Sequence, residues 1–296
     1  MKQIQLMALL LAAAGLTACS SDEGTGEAPL KMIVDVTESP FTDTSFSAKM
    51  RGTTRATSYT TTESLSDFSM NYMESTYAFK KEMGSWNTNN WPTSNPKEKI
   101  DLYAYTHGTY NYNGGNPYIT FTVKSGDHAS DQQDLLVAEH KEISYNDAGG
   151  HVSLSFDHAL AAVQFKVKIT NTLKTNLEGS NLTVNSIVLR NVYNSGDYYY
   201  NTKSWASLSN SPSNIIPYYT LTDGAFTVTT DYKELPCGYL FLIPQNREVS
   251  IAVEYEYTLK DQTKTKVADI PFTVEWESGY IYPIEIKLGT GTIKLD

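Results

Sequence analysis

Cysteine is nearly missing from this chain: among 296 residues there are only Cys19 and Cys237. At most one disulfide can form, and none if either thiol is used otherwise, so stability has to come from packing. Long apolar runs are missing too. Nothing after residue 19 approaches the roughly 20 consecutive apolar residues that cross a bilayer as a helix. Basic side chains are outnumbered, 23 Lys and Arg against 33 Asp and Glu, and the net charge of −10 argues against nucleic acid as a partner. The motifs of common enzymes are also lacking. The histidines, His107, His128, His140, His151 and His158, show no His-Glu-x-x-His spacing. There is no Cys-x-x-Cys pair, no Gly-x-Ser-x-Gly elbow and no glycine-rich phosphate loop. These absences point to a non-catalytic protein with no cofactor and no metal.

What is present begins with a secretory signal. Lys2 supplies a positive start, Ile4 to Ala14 form a short apolar stretch, and Leu16-Thr17-Ala18-Cys19 reads as a lipoprotein cleavage site. Its chemistry needs the thiol there, because the lipid is attached to the Cys19 sulfur before the peptide bond behind Ala18 is cut. Ser20-Ser21-Asp22-Glu23-Gly24 follows, an acidic polar tether that resembles the surface-export signal of lipoproteins from Gram-negative gut and oral anaerobes. Such a composition also suits a plain flexible linker. Lipid on Cys19 is the one anchor expected, holding the protein at the outer membrane and cell surface.

Strand signal dominates the remainder. Ile251, Val253, Tyr255 and Tyr257 alternate with Ala252, Glu254, Glu256 and Thr258, and Val163, Phe165, Val167 and Ile169 alternate with Gln164, Lys166 and Lys168. Val152, Leu154 and Phe156 show the same period, as do Tyr280, Tyr282, Ile284, Ile286 and Leu288. A period of two with one apolar face is that of a strand with one side on a core. Between these runs lie turn-formers: Asn113 to Pro117, Asn146 to Gly150, Asn194 to Asp197, and Thr222 to Gly224. Short helices are expected at most around Ser64–Phe68 and Thr172–Glu178. The pattern predicts an all-β fold of sandwich type. Beyond the signal, 1–19, the zones are a linker and N-terminal strand (20–55, containing Met32 to Val36), a first set of strands (56–170) and a second set (171–296).

Several side chains invite a chemical reading. His158 beside Asp157 is expected to be a hydrogen-bonded structural histidine, and Cys237 a small buried residue. His128 with Asp127, Asp131 and Asp134 lacks the spacing of a calcium loop and reads as a solvated acidic loop. Glu275 and Glu277, two apart on one strand, share a wet face rather than forming a glycosidase pair. Tyrosine is abundant, 21 residues. Tyr198-Tyr199-Tyr200, with Trp205 close by in an Asn-, Ser- and Gly-rich segment read as a loop, are candidate ligand contacts, because flat amphipathic rings suit sugars or proteins. Covering a core edge is the alternative role, and it is the one expected of Trp86 and Trp91.

Four segments resemble the fimbrillin family, the subunits of type V pili. They are Leu135-Leu136-Val137-Ala138 behind Asp134, Leu154 to Leu160 continuing into Val163 to Val167, Leu240-Phe241-Leu242-Ile243-Pro244-Gln245, and Trp276-Glu277-Ser278-Gly279-Tyr280-Ile281-Tyr282. The resemblance implies two transthyretin-like β-sandwich domains, 56–170 and 171–296, and export as a lipidated precursor. It also implies cleavage by an arginine-specific protease that releases the first strand, whose groove a strand from the next subunit then fills. Carried onto this chain, Met32, Val34 and Val36 form the displaced strand. Arg55 is the processing site, with Arg51 in reserve. Ile293 and Leu295 are the inward residues of a donor strand, one so short that a tip or accessory role is as fitting as a stalk role. The partners implied are other pilus subunits, the outer membrane, and host or bacterial surface glycans or proteins. The alternative function is a monomeric glycan-binding surface lipoprotein.

Overall fold

The computed structural model describes residues 30–38, 41–43, 58–59, 65–123, 129, 132–178, 180–210, 215–220, 225–289 and 294–295. The fold is all-β, with two short helices, Tyr145–Ala148 and Asn171–Asn176, among the described residues. No helix of these residues is long and apolar enough to cross a membrane.

One sheet has the strand order Ser85–Trp86, Ser75–Glu82, Asp67–Tyr72, Ile100–Tyr105, Leu136–Ile143, His151–His158, Lys31–Glu38, Asn89–Asn90. Its two outermost strands belong to one short stretch of chain, so the sheet curls until its ends meet. The stretch is laced down by asparagine: the Asn87 and Asn89 amides both donate to Ala78 O, at 3.2 and 2.9 Å. Inside the curl lies a small core of Met32, Val34, Phe68, Met70, Phe79, Trp91, Ile100, Leu102, Val152, Leu154, Phe156 and their neighbours. His151–His158 shows why the sequence folds this way. Its residues are buried and exposed in strict alternation, the period of two that puts Val152, Leu154 and Phe156 on the inner face.

A larger core lies between two further sheets. One is built on Ala161–Ile169 and Tyr280–Leu288, which run parallel from Ala162↔Ile281 to Ile169↔Leu288. The other runs Ile215–Thr220, Leu182–Arg190, Asn246–Leu259, Gln262–Glu275, with Phe226–Val228 also on Leu182–Arg190. The long hairpin Asn246–Leu259/Gln262–Glu275 turns at Lys260 and Asp261, both at positive φ. A four-stranded sheet (Ser204–Ser209, Ser195–Tyr199, Asn116–Thr122, Thr109–Asn113) sends Ile119, Phe121 and Tyr198 into the larger core. It joins strands from either side of residue 170, as Ile119 pairs with Tyr198. The strand Ala161–Ile169 pairs with the last long strand rather than with the preceding ones, so sheet pairing crosses the boundary drawn there from sequence.

Two local expectations are corrected. Asp67 and Phe68, read as helical, begin the strand Asp67–Tyr72, because Phe68 and Met70 alternate into the small core. Asn194 to Asp197, read as a turn, leads into the strand Ser195–Tyr199. Gly196 serves close packing there: a Cβ on it would lie 2.8 Å from Leu208 Cδ2.

Candidate functional site

The N-terminal strand Lys31–Glu38 is the element whose attachment differs most from its surroundings. It lies parallel to His151–His158 from Ile33↔His151 to Glu38↔Phe156, and touches Asn89–Asn90 on its other side only at Lys31 and Met32. Among the described residues, no other strand lies along that side. Met32 is fully buried and Val34 4 % exposed, while Lys31, Ile33 and Asp35 face water and Val36 is half-buried. Met32 and Val34, each worth roughly 1.5–3 kcal/mol when fully buried, are the main side-chain anchors, with half-buried Leu30 and Val36 packed against the same core. The surface ion pair of Asp35 with His151, at 3.2 Å with both side chains more than half exposed, adds little.

Backbone geometry fixes the start of this strand. Ile33 N donates to Gly150 O at 2.9 Å and Trp91 N to Leu30 O at 2.7 Å. Gly150 has φ +81, and a Cβ on it would lie 2.7 Å from Lys31 O. Only glycine lets the chain turn there and still receive the strand.

A second short strand from the same part of the chain, Phe41–Asp43, lies parallel to Tyr280–Ile281 and antiparallel to Ser58–Tyr59. Arg51 and Arg55 stand in the sequence between Phe41–Asp43 and Ser58–Tyr59; both lie outside the described residues, as do Cys19 and Ile293. Leu295 belongs to Lys294–Leu295, which pairs antiparallel with Ile286 and Lys287 of this same chain. The acidic-loop residues Asp127, His128 and Asp131 also lie outside the description.

The segments that carried the family resemblance meet in space. Ala159 N donates to Leu135 O at 2.9 Å, Gly279 N to Leu160 O at 2.8 Å, and Gln245 and Trp276 exchange backbone hydrogen bonds at 3.1 and 2.9 Å. Leu242 pairs with Ala161. His158, buried, is hydrogen-bonded through Nδ1 to the Asp134 carboxylate. Buried Gln245 accepts from Tyr193 N at 2.9 Å and donates to Ile243 O at 2.9 Å. These contacts build one knot of packing and hydrogen bonding at the large core.

Tyr198 and Tyr200 point inward. Tyr200 OH donates to Ala104 O at 2.8 Å, Trp205 Nε1 donates to Ala159 O at 2.8 Å, and the Tyr198 ring sits edge-on to both Tyr200 and Trp205. Burial holds the Tyr200 hydroxyl well above its ordinary range, and burial with Asp157 and Glu139 nearby raises that of Tyr198. Tyr199, half-buried, stacks on Tyr118 at 5.0 Å. Outside these rings a cavity of about 330 Å³ is lined by Glu139, Ser153, Asp157, Tyr198 and Lys203 among others. Trp91 is buried, and Trp86 packs edge-on to Phe68. Cys237 is buried, and Glu275 and Glu277 are exposed. Among the described residues no group of His, Cys, Asp and Glu is placed to hold a metal ion.

The sequence reading did not single out a second cluster, Tyr105, Tyr110 and Tyr112 facing Asn71 and Glu74 across a cleft of about 490 Å³. Its signal was available in the alternation of tyrosine with polar residues through Thr109-Tyr110-Asn111-Tyr112-Asn113.

Comparison with known proteins follows the same lines. A sequence model described as fimbrillin-like matches residues 40–296. The fold is similar to a fimbrial protein from Bacteroides vulgatus (TM-score 0.54, 16% identity, 77% of this chain and 90% of that one). It is also similar to candidate cell adhesion proteins from Bacteroides eggerthii (0.51, 12%, 92% and 96%) and Bacteroides ovatus (0.50, 16%, 92% and 96%). Among curated proteins none is similar enough in sequence to count as a match.

Proposed function

We propose a pilus role from one premise: this chain belongs to the fimbrillin-like family. It is a structural or adhesive subunit, tip, accessory or stalk, of a bacterial surface pilus. It reaches the outer membrane as a precursor lipidated on Cys19 and is assembled by strand exchange. Cleavage after Arg55, with Arg51 as the reserve site, is the trigger.

The observation that carries this reading is the attachment of Lys31–Glu38. The strand is bound by one parallel ladder, a two-residue contact with Asn89–Asn90 and the inward side chains Met32, Val34 and Val36, and Lys31, Ile33 and Asp35 on its outward face are wet. A cut between Asp43 and Ser58 severs it, with Phe41–Asp43, from the body of the chain. Both are then held by non-covalent contacts alone, one paired with His151–His158 and one with Tyr280–Ile281. Their departure bares a sheet edge beside Val152, Leu154 and Phe156, ready for an extended segment whose alternate side chains refill the sites of Met32 and Val34. Ile293 and Leu295 are the residues this chain would offer to a neighbour in the same manner.

The test is to treat the purified precursor lacking residues 1–19 with an arginine-specific protease and follow mass and size. A stable core beginning at Ala56 or Gly52, together with higher oligomers, is expected. A monomer that keeps its first strand, or loses it without associating, would sink assembly by exchange and favour a monomeric glycan-binding surface lipoprotein.

A further inference from the structure

The cleft beside Tyr105, Tyr110 and Tyr112 has the make-up of a ligand site. It opens between the hairpin end at Asn71 to Thr76 and the edge strand Thr109–Asn113. Its volume, about 490 Å³, falls in the range of roughly 300–1,000 Å³ typical of small-molecule pockets. One wall is aromatic: Tyr105 and Tyr110 lie nearly parallel, ring centres 6.1 Å apart and planes inclined by 15°, with half-buried Tyr112 beside them. The other wall is polar, made of Asn71, Glu74 and Thr76.

Two features mark this cleft off from an ordinary surface groove. Asn71 is 1 % exposed, and its amide donates to Thr76 Oγ1 at 2.8 Å, yet its Oδ1 accepts no hydrogen bond from the protein. The buried Tyr110 hydroxyl likewise has no protein partner. Buried polar atoms are rarely left so, because an unmade hydrogen bond costs about 1–3 kcal/mol. Gly108, at φ +95, lets this rim lie close against Asn116–Thr122: a Cβ there would lie 2.6 Å from Ile119 Cγ2 and 2.8 Å from Thr120 O.

From this combination we infer that the cleft binds a neutral pyranose unit of a surface glycan. Flat ring faces match the C–H face of a sugar, while amide, hydroxyl and carboxylate groups match its hydroxyls. Among the described residues lining the cleft, Glu74 is the one charged side chain and none is cationic, which disfavours anionic sugars and phosphates. Burial raises the Tyr105 and Tyr110 hydroxyls above their ordinary range, so they remain protonated donors. None of the lining residues comes from Lys31–Glu38; binding here is independent of strand exchange.

The test is ligand-observed NMR and calorimetric titration of the full chain. The neutral probes are methyl β-galactopyranoside, methyl α-mannopyranoside and N-acetylglucosamine, with N-acetylneuraminic acid as the anionic comparator. At least one neutral probe is expected to bind in the millimolar range and the anionic one more weakly. Tyr112→Ala and Glu74→Gln should each weaken binding by about threefold to tenfold, the worth of one ring face or hydrogen bond. Tyr199→Ala, a stacked tyrosine elsewhere, should leave it unchanged. Glu74 is exposed, so Glu74→Gln keeps the test decisive even if Tyr112→Ala lowers the melting temperature. Failure of all neutral probes, equal binding of the anionic sugar, or binding indifferent to Glu74→Gln overturns the assignment.

Discussion

Lys31–Glu38 beside His151–His158 and Ala161–Ile169 beside Tyr280–Leu288 are both parallel ladders of similar length, yet they are held in different ways. The second pair is flanked on both sides, by Leu240–Leu242 and Lys233–Glu234 along one edge and by Phe41–Asp43 and Lys294–Leu295 along the other. Phe165, Val167, Ile284 and Ile286 are fully buried beneath it, and the residues between them are half-covered. That is how parallel sheet is usually found, protected on both faces. The first pair has a wet outer face and a near-empty flank. Ladders of six and eight residue pairs are thus backed very differently, one by a covered flank and core and the other by a small core alone, and the difference lies in the side chains behind them.

The comparison breaks if the two pairs respond alike to truncation. Phe165→Ala removes a fully buried ring packed edge-on to Tyr218 at 4.6 Å and should cost about 3–5 kcal/mol. Urea unfolding should show this as a loss of the whole cooperative transition's stability. Met32→Ala, in the ladder with the open flank, should cost about 2 kcal/mol, the low end for such a truncation. Its signature should be local: faster hydrogen exchange at the Ile33 amide and faster release after proteolysis, with the large core little changed. A global loss equal to that of Phe165→Ala would show that the two ladders are one unit.

Alkaline titration sharpens the same contrast at smaller amplitude. Burial raises the hydroxyls of Tyr200 and Tyr218, which donate to Ala104 O and Gly238 O. A group whose folded pKa lies above its unfolded value contributes stability that is intact below the unfolded pKa. For tyrosine that is about 10, so stability should stay level to that pH and fall above it. Tyrosinate absorbance and circular dichroism should change together, since these rings sit around the large core. Ionisation of every tyrosine before any loss of structure would contradict their packing.

Much of this fold is readable in the sequence where one face is wet. The alternations at Val152–Phe156, Val163–Ile169, Ile251–Tyr257 and Tyr280–Leu288 all fall within strands, because a period of two reports burial on one side directly. Pairing is not readable in that way. Nothing in Met32 to Val36 names His151–His158 as its partner, since parallel ladders join segments far apart. The Tyr198–Tyr200 segment misled because Gly196 and its polar neighbours look like a turn. Gly196 is there instead to let Leu208 and Trp205 pack closely, and the Tyr200 hydroxyl finds a backbone partner inside at Ala104 O. The Tyr105–Tyr112 cleft depends on two hairpins meeting, which local pattern cannot show.

The parallel pairing of Lys31–Glu38 also has a kinetic side. Ile33 is synthesised long before His151, the residue it must face, so the strand cannot close until most of the first sheet's sequence exists. Closing such a distant ladder is slow compared with a hairpin like Asn246–Leu259/Gln262–Glu275, whose strands meet across two residues. During that delay the edge beside Val152, Leu154 and Phe156 has no occupant. Tethering in the same chain gives the cis strand a high effective concentration and lets it win the edge first. The covalent link therefore acts as a timer: for as long as it lasts, the ladder with His151–His158 is favoured over any strand offered by another molecule.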